Sequence, residues 1–219
     1  MRSTLAVAGL VVALIASVGV RSAHATTIQY TFTVDHCGGG CGTSPFGTIT
    51  LTDTGTDQVS VRVDLFNGNQ FVSTGFNGSF AFNLIGNPQV SISGQTAGWT
   101  LVSATAGSLA NFDGFKTFEY AMFCCFGGNG PQPGPLVFTI SAIAGTHLSA
   151  ASFAELSAGT GGTAAYFVAD INGGTTGNTG LVGAVGPGTV VPEPGSLVLL
   201  GLGLSGMALT LRRRFSHRT

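Results

Sequence analysis

The 219-residue chain carries 8 lysines and arginines against 9 aspartates and glutamates, a net charge of −1. No basic face is available to neutralise a phosphate backbone, so nucleic-acid binding is excluded. Only 8% of residues are charged, so solubility must rest on serine, threonine, asparagine and the 35 glycines. The first predicted element is an export signal. Arg2 supplies a short positive start, Leu5 to Val20 is apolar, and Ala23-His24-Ala25 offers small residues on either side of the histidine. That order is a secretory signal peptide over residues 1–25, cut after Ala25 to leave Thr26 as the first mature residue. No twin arginine precedes the apolar run, which assigns the chain to the secretory translocase that handles unfolded substrates.

Between Thr26 and Val191 lie 166 residues with two basic side chains, Arg62 and Lys116, against eight acidic ones, a net charge of −6. The length suits one domain. Ile28, Tyr30, Phe32 and Val34 alternate with polar residues, as do Val59, Val61, Val63 and Leu65. Phe80, Phe82 and Leu84 continue the pattern, followed by Val90 with Ile92, then Leu136, Phe138 and Ile140. Tyr166 to Val168 and Leu181 to Val185 complete the set. Period-two alternation of β-branched and aromatic residues predicts half-buried strands. Turn signals separate them at Asn67-Gly68, Asn77-Gly78, Gly86-Asn87-Pro88, Asn129-Gly130-Pro131 and Asn172-Gly173-Gly174. The fold class is therefore all-β, a β-sandwich or jelly-roll-like single domain over residues 26–185. Gly127 to Pro135 reads as a surface loop within it, and residues 186–191 as a flexible tether.

The C-terminal segment, 192–219, has its own grammar. Pro192-Glu193-Pro194 opens it, Ser196 to Leu211 is uncharged and mostly apolar, and Arg212-Arg213-Arg214 closes it. Sixteen apolar-run residues make a helix of roughly 24 Å, the short limit for crossing a bilayer core of about 30 Å. The arginines hold its end in the cytoplasm, so residues 196–211 form a membrane anchor and everything between the two terminal signals is exported. Gly201, Gly203 and Gly206 spell G-x-G-x-x-G, but the chain ends 13 residues later, without the acidic residue a dinucleotide fold needs.

Val191-Pro192-Glu193-Pro194-Gly195, the apolar run and Arg212-Arg213-Arg214 together resemble the PEP-CTERM sorting signal of Gram-negative bacteria. The resemblance covers about the last 28 residues. It implies recognition by a membrane-embedded exosortase, a cysteine protease-like transpeptidase that removes the tail near Pro-Glu-Pro. It also implies a connection to exopolysaccharide and to biofilm or floc surfaces.

Four cysteines, Cys37, Cys41, Cys124 and Cys125, stand in the exported part, and an oxidising compartment predicts disulfides. Three pairings are open. Cross-links between the early and late pairs are the leading expectation, and local closure of Cys37 with Cys41 is the alternative. His36 with these cysteines has zinc-ligand chemistry without a zinc-site spacing. Catalytic signals are weak. His147 and Asp170 with a serine would make a triad on paper, no G-x-S-x-G elbow is present, and the acids are scattered. Asp170-Ile171-Asn172-Gly173 offers oxygens to calcium but lacks the rest of a binding loop. Trp99, Tyr30, Tyr120 and Tyr166 would stack on sugars if exposed and fill the core if not. Asn77-Gly78-Ser79 reads as a turn rather than a glycosylation site. The expectation is a non-enzymatic structural or adhesive surface protein without cofactor or metal. A carbohydrate-binding module that takes exopolysaccharide is the alternative, and an enzyme ranks third.

Overall fold

The computed structural model describes residues 26–75, 78–103, 110–125, 130–143 and 146–191, together with Leu204. In chain order the strands are β1 (Thr27–Phe32), β2 (Val34–Asp35), β3 (Gly47–Gly55), β4 (Gln58–Leu65), β5 (Gln70–Phe71), β6 (Phe80–Phe82), β7 (Val90–Ser93) and β8 (Thr100–Ser103). They continue as β9 (Ala110–Phe112), β10 (Lys116–Phe118), β11 (Tyr120–Phe123), β12 (Gln132–Pro133), β13 (Leu136–Ala142), β14 (Phe167–Asn172), β15 (Thr179–Ala184) and β16 (Thr189–Val191). The predicted runs coincide with strands in their main part: Ile28 to Val34 spans β1 and β2, and Leu84, Tyr166 and Val185 lie just outside β6, β14 and β15. In β4, Val59, Val61 and Val63 are buried while Ser60 and Arg62 between them are not, as a pleated strand with one solvated face requires.

Six strands form one sheet in the order β16-β1-β3-β4-β13-β7. In the second, β14 is the hub: β15 lies on one edge and carries β2, while β5 and β6 share the other. Strand β11 extends that sheet from β6, and β8 from β11. The inner faces of the two sheets supply one core. Phe138 of the first packs 6.1 Å from Phe82 and 6.4 Å from Phe80 of the second, ring centre to ring centre. A 3-10 turn, Ala150–Phe153, closes one end by placing Phe153 5.3 Å from Phe82 and 6.0 Å from Phe167. Burying each such ring contributes about 1.5–3 kcal/mol, which makes this aromatic cluster the main source of cohesion.

The second sheet is covered on its outer face as well. The β9–β10 hairpin and the residues at its turn lay Phe112, Phe115 and Phe118 against Ala81, Ala121 and Val168, all buried. Residues 167 to 171 are consequently buried on both sides, and alternation disappears from that run. Gly127 to Pro135 was expected to be a loop, yet Gln132–Pro133 pairs with β5.

The expected tether over 186–191 is corrected from Thr189 onward. There the chain is a strand, with Thr27 opposite Val191 and Gln29 opposite Thr189. Gly188 permits this approach, because a Cβ there would lie 2.5 Å from Ile28 and 2.6 Å from the Tyr30 ring. The domain thus runs past residue 185 to Val191, and its first and last strands are neighbours.

Candidate functional site

The four cysteines form two local disulfides, Cys37–Cys41 and Cys124–Cys125, with Cα separations of 5.5 and 3.7 Å. The expected cross-links between the pairs are overturned. A turn bond from Gly40 N–H to the Cys37 carbonyl folds the first loop, and Asp35 Oδ2 accepts the Cys41 N–H at 2.8 Å. The sulfurs therefore meet within their own loop. Cys124 is held elsewhere, by its N–H to Ser79 Oγ at 3.2 Å, and Cys125 stands against the Phe71 carbonyl. Asp35, Cys37 and Cys41 are the one three-residue group among the described residues whose ligand atoms converge on a metal-sized space. Both sulfurs are consumed by the disulfide, so the donor set does not suit zinc, which takes thiolates. His36 is not part of this group.

His36 instead joins a cavity of about 280 Å³ on the outer face of the second sheet, with Asp113, Asp170, Phe112 and Thr74 in its wall. Three elements build it. Strand β14 contributes Asp170, 2% exposed. The segment after β5 crosses Asp170, with the Thr74 N–H and hydroxyl both donating to Oδ2 at 2.6 and 2.7 Å. The turn of the β9–β10 hairpin contributes Asp113, exposed at the rim. His36 is held by its backbone N–H, which donates to the Leu181 carbonyl of β15, and its ring meets that turn edge-on to Phe115 at 4.5 Å. A Cβ at Gly114 would lie 2.7 Å from the imidazole, so only glycine leaves room for it. Burial raises the Asp170 pKa, and the two Thr74 bonds oppose the rise. Its other oxygen, Oδ1, has no hydrogen-bond partner.

The remaining candidates are not assembled. His147 is exposed and pairs with Asp57 Oδ1 at 3.2 Å, whereas Asp170 is bonded to Thr74, so the paper triad of His147 and Asp170 does not form. Asp170 to Asn172 lies within an extended strand whose side chains alternate between faces, which removes the calcium arrangement. Trp99, Tyr30 and Tyr120 are 3%, 2% and 2% exposed. Tyr166 is half-buried, 5.3 Å from the Tyr30 ring. No sugar platform is made from these four. Burial pushes the Tyr30 hydroxyl up to about 12, with Tyr166 adding to the rise, and Tyr120 upward as well. Glu119 is raised by burial and by Glu155 beside it. Nothing in the sequence pairs Asp113 with Thr74, because cavity neighbours 39 positions apart on elements without a period-two pattern leave no local signal.

Ala23 and Ala25, Pro192, Glu193 and Pro194, and Arg212 to Arg214 lie outside the described residues, as does Asn77. So does the apolar run 196–211 apart from Leu204, which is exposed. Among the described residues no helix is long and apolar enough to cross a membrane. In comparison with known families, residues 190–214 match the PEP-CTERM protein-sorting motif. No curated protein and no solved structure matches the chain. The matched motif begins at Val190, inside β16, so the edge strand of the first sheet and the sorting signal are continuous chain.

Proposed function

We propose that the chain is exported, held at the inner membrane by its tail, and then processed by an exosortase into a surface or extracellular-matrix protein with a structural or adhesive role. The observation that carries this reading is the sorting motif at 190–214, joined without a spacer to the last strand of an all-β domain. A non-enzymatic role is supported by where the aromatic and acidic residues go. The large rings are spent on the core, and Asp53 and Asp57 accept backbone N–H groups of Ala150 and Leu148, tying chain segments together. A sandwich with few charges and two short disulfide loops suits persistence outside the cell. The carbohydrate-binding alternative would have to use the cavity beside Asp170, since the four aromatics singled out from the sequence make no open platform.

The test is replacement of Pro192, Glu193 and Pro194 by alanine. The apolar run and the arginines remain, so insertion survives. The prolines set a rigid, non-helical entry to the membrane segment and Glu193 supplies the one charge at that entry, so recognition is what fails. Fractionation should find the variant unprocessed in the membrane while the parent protein is released or displayed. Normal processing of the triple variant would remove the basis of this reading.

A further inference from the structure

We infer that strand β16 is a brake on removal of the tail: the processing enzyme acts on chain in which β16 has left β1, and Gly188 sets how often that happens. The inference rests on the sorting reading above and concerns its regulation. Two residues of the matched motif, Val190 and Val191, already belong to the sheet, opposite Ile28 and Thr27. Backbone groups engaged in a ladder are not free for a second partner. An enzyme that takes its substrate as extended chain therefore competes with β1 for them.

Distance sharpens the competition. From Val191 to Ser196, where the apolar run begins, is five Cα steps, at most about 18 Å of extended chain. With β16 paired, the end of a folded sandwich stands within that length of the membrane segment, and the cut has to be made between the two. Release of Thr189 to Val191 adds three residues, about 10 Å of reach.

The strand is also easily released. It lies at the sheet edge, pairs only with β1 among the described strands, and all three of its residues are exposed, Val190 at 68% and Val191 at 39%. Little apolar burial is lost when it peels, so this local opening costs far less than unfolding the domain. What holds it is the Thr189 hydroxyl, donating to the Gln29 carbonyl at 3.4 Å, and the close approach at Gly188. A Cβ at 188 would lie 2.5 Å from Ile28 and 2.6 Å from the Tyr30 ring. A larger residue there favours the peeled state and leaves every residue of the matched motif unchanged. A rate that depends on a minor conformer scales with its population.

The experiment is a pulse-chase of the full-length chain in cells that process it, following loss of the tail. Three proteins are compared: the parent, Gly188→Val, and Gln29→Cys combined with Thr189→Cys. Gln29 and Thr189 stand directly opposite each other, a separation that a disulfide spans, and both lie outside the matched motif. The linked variant should lose its tail at least about tenfold more slowly than the parent, and an added dithiol should restore the rate of the parent treated alike. Gly188→Val should lose its tail at least about threefold faster, with a melting temperature close to that of the parent. Should Gly188→Val fail to fold, the linked variant, which keeps the ladder, decides. The inference is overturned by a linked variant processed at the parent's rate, by reduction that opens the link without restoring processing, or by a folded Gly188→Val that is no faster. A parent that keeps its tail overturns the sorting reading and this inference together. A parent that loses it beside an equally fast linked variant overturns this inference alone.

Discussion

Asp170 is the residue where fold and candidate site meet. Its carboxylate anchors the segment that leaves the sheet between β5 and β6, and its backbone serves both neighbours, accepting from Val72 N–H and donating to the Ser79 carbonyl. Burial raises its pKa above the ordinary value of 3.8, so the folded protein holds that proton more tightly than the unfolded chain does. The sign follows. Asp170 imposes no electrostatic penalty below the ordinary value, and stability is lost as pH rises through the folded value. Asp170→Asn cannot titrate, so the parent should lose melting temperature relative to the variant between about pH 4 and about pH 7. Thermal melts of the two proteins at both pH values check this. Glu119, raised in the same direction, is present in both and cancels from the comparison. A parent that gains on the variant as pH rises would mean that the Thr74 bonds outweigh burial.

At the scale of elements, the strands most legible in the sequence are those with one wet face, although β6 and β14, buried on both faces, are also marked by Phe80 with Phe82 and by Phe167 with Val168. Val59, Val61 and Val63 announced β4, and Leu136, Phe138 and Ile140 announced β13, because burial on one side only leaves a period of two. The β9–β10 hairpin leaves no such trace, because its rings face a sheet already buried behind them. The cavity was unreadable for the same reason, since its walls come from that hairpin and from the segment after β5. Cysteine pairing failed differently. Sequence fixes how many partners exist but not which are near, and the Asp35 contact that closes the first loop is a tertiary fact. The disulfides carry a direct test. The mature region has only Arg62 and Lys116 as tryptic sites, so Cys37 with Cys41 and Cys124 with Cys125 fall on different peptides. An unreduced digest should release those peptides unlinked and without free thiols. Linked peptides would restore the cross-links. The Cys37–Cys41 loop is short, so its loss should cost only about 2 kcal/mol of stability by denaturant melting.

For the whole molecule, the position of β16 bears on how the protein is processed. Thr27 lies opposite Val191, so the start and the end of the domain leave the first sheet side by side. Thr26 is already inside the fold, its carbonyl accepting the Asp53 N–H at 3.0 Å. At the other end the ladder runs to Val191, and Pro192 has no N–H with which to extend it. A cut before Val191 would shorten the edge strand, and one before Thr189 would remove it and leave β1 with unpaired backbone groups, a template for aggregation. A cut beyond the prolines leaves the sheet whole. Mass spectrometry of the processed protein should therefore find Thr26 as its first residue, Val191 retained, and nothing from Ser196 onward. A surface form still carrying Arg212 to Arg214 would contradict removal of the tail. A form ending before Thr189 would show that the edge strand is dispensable outside the cell.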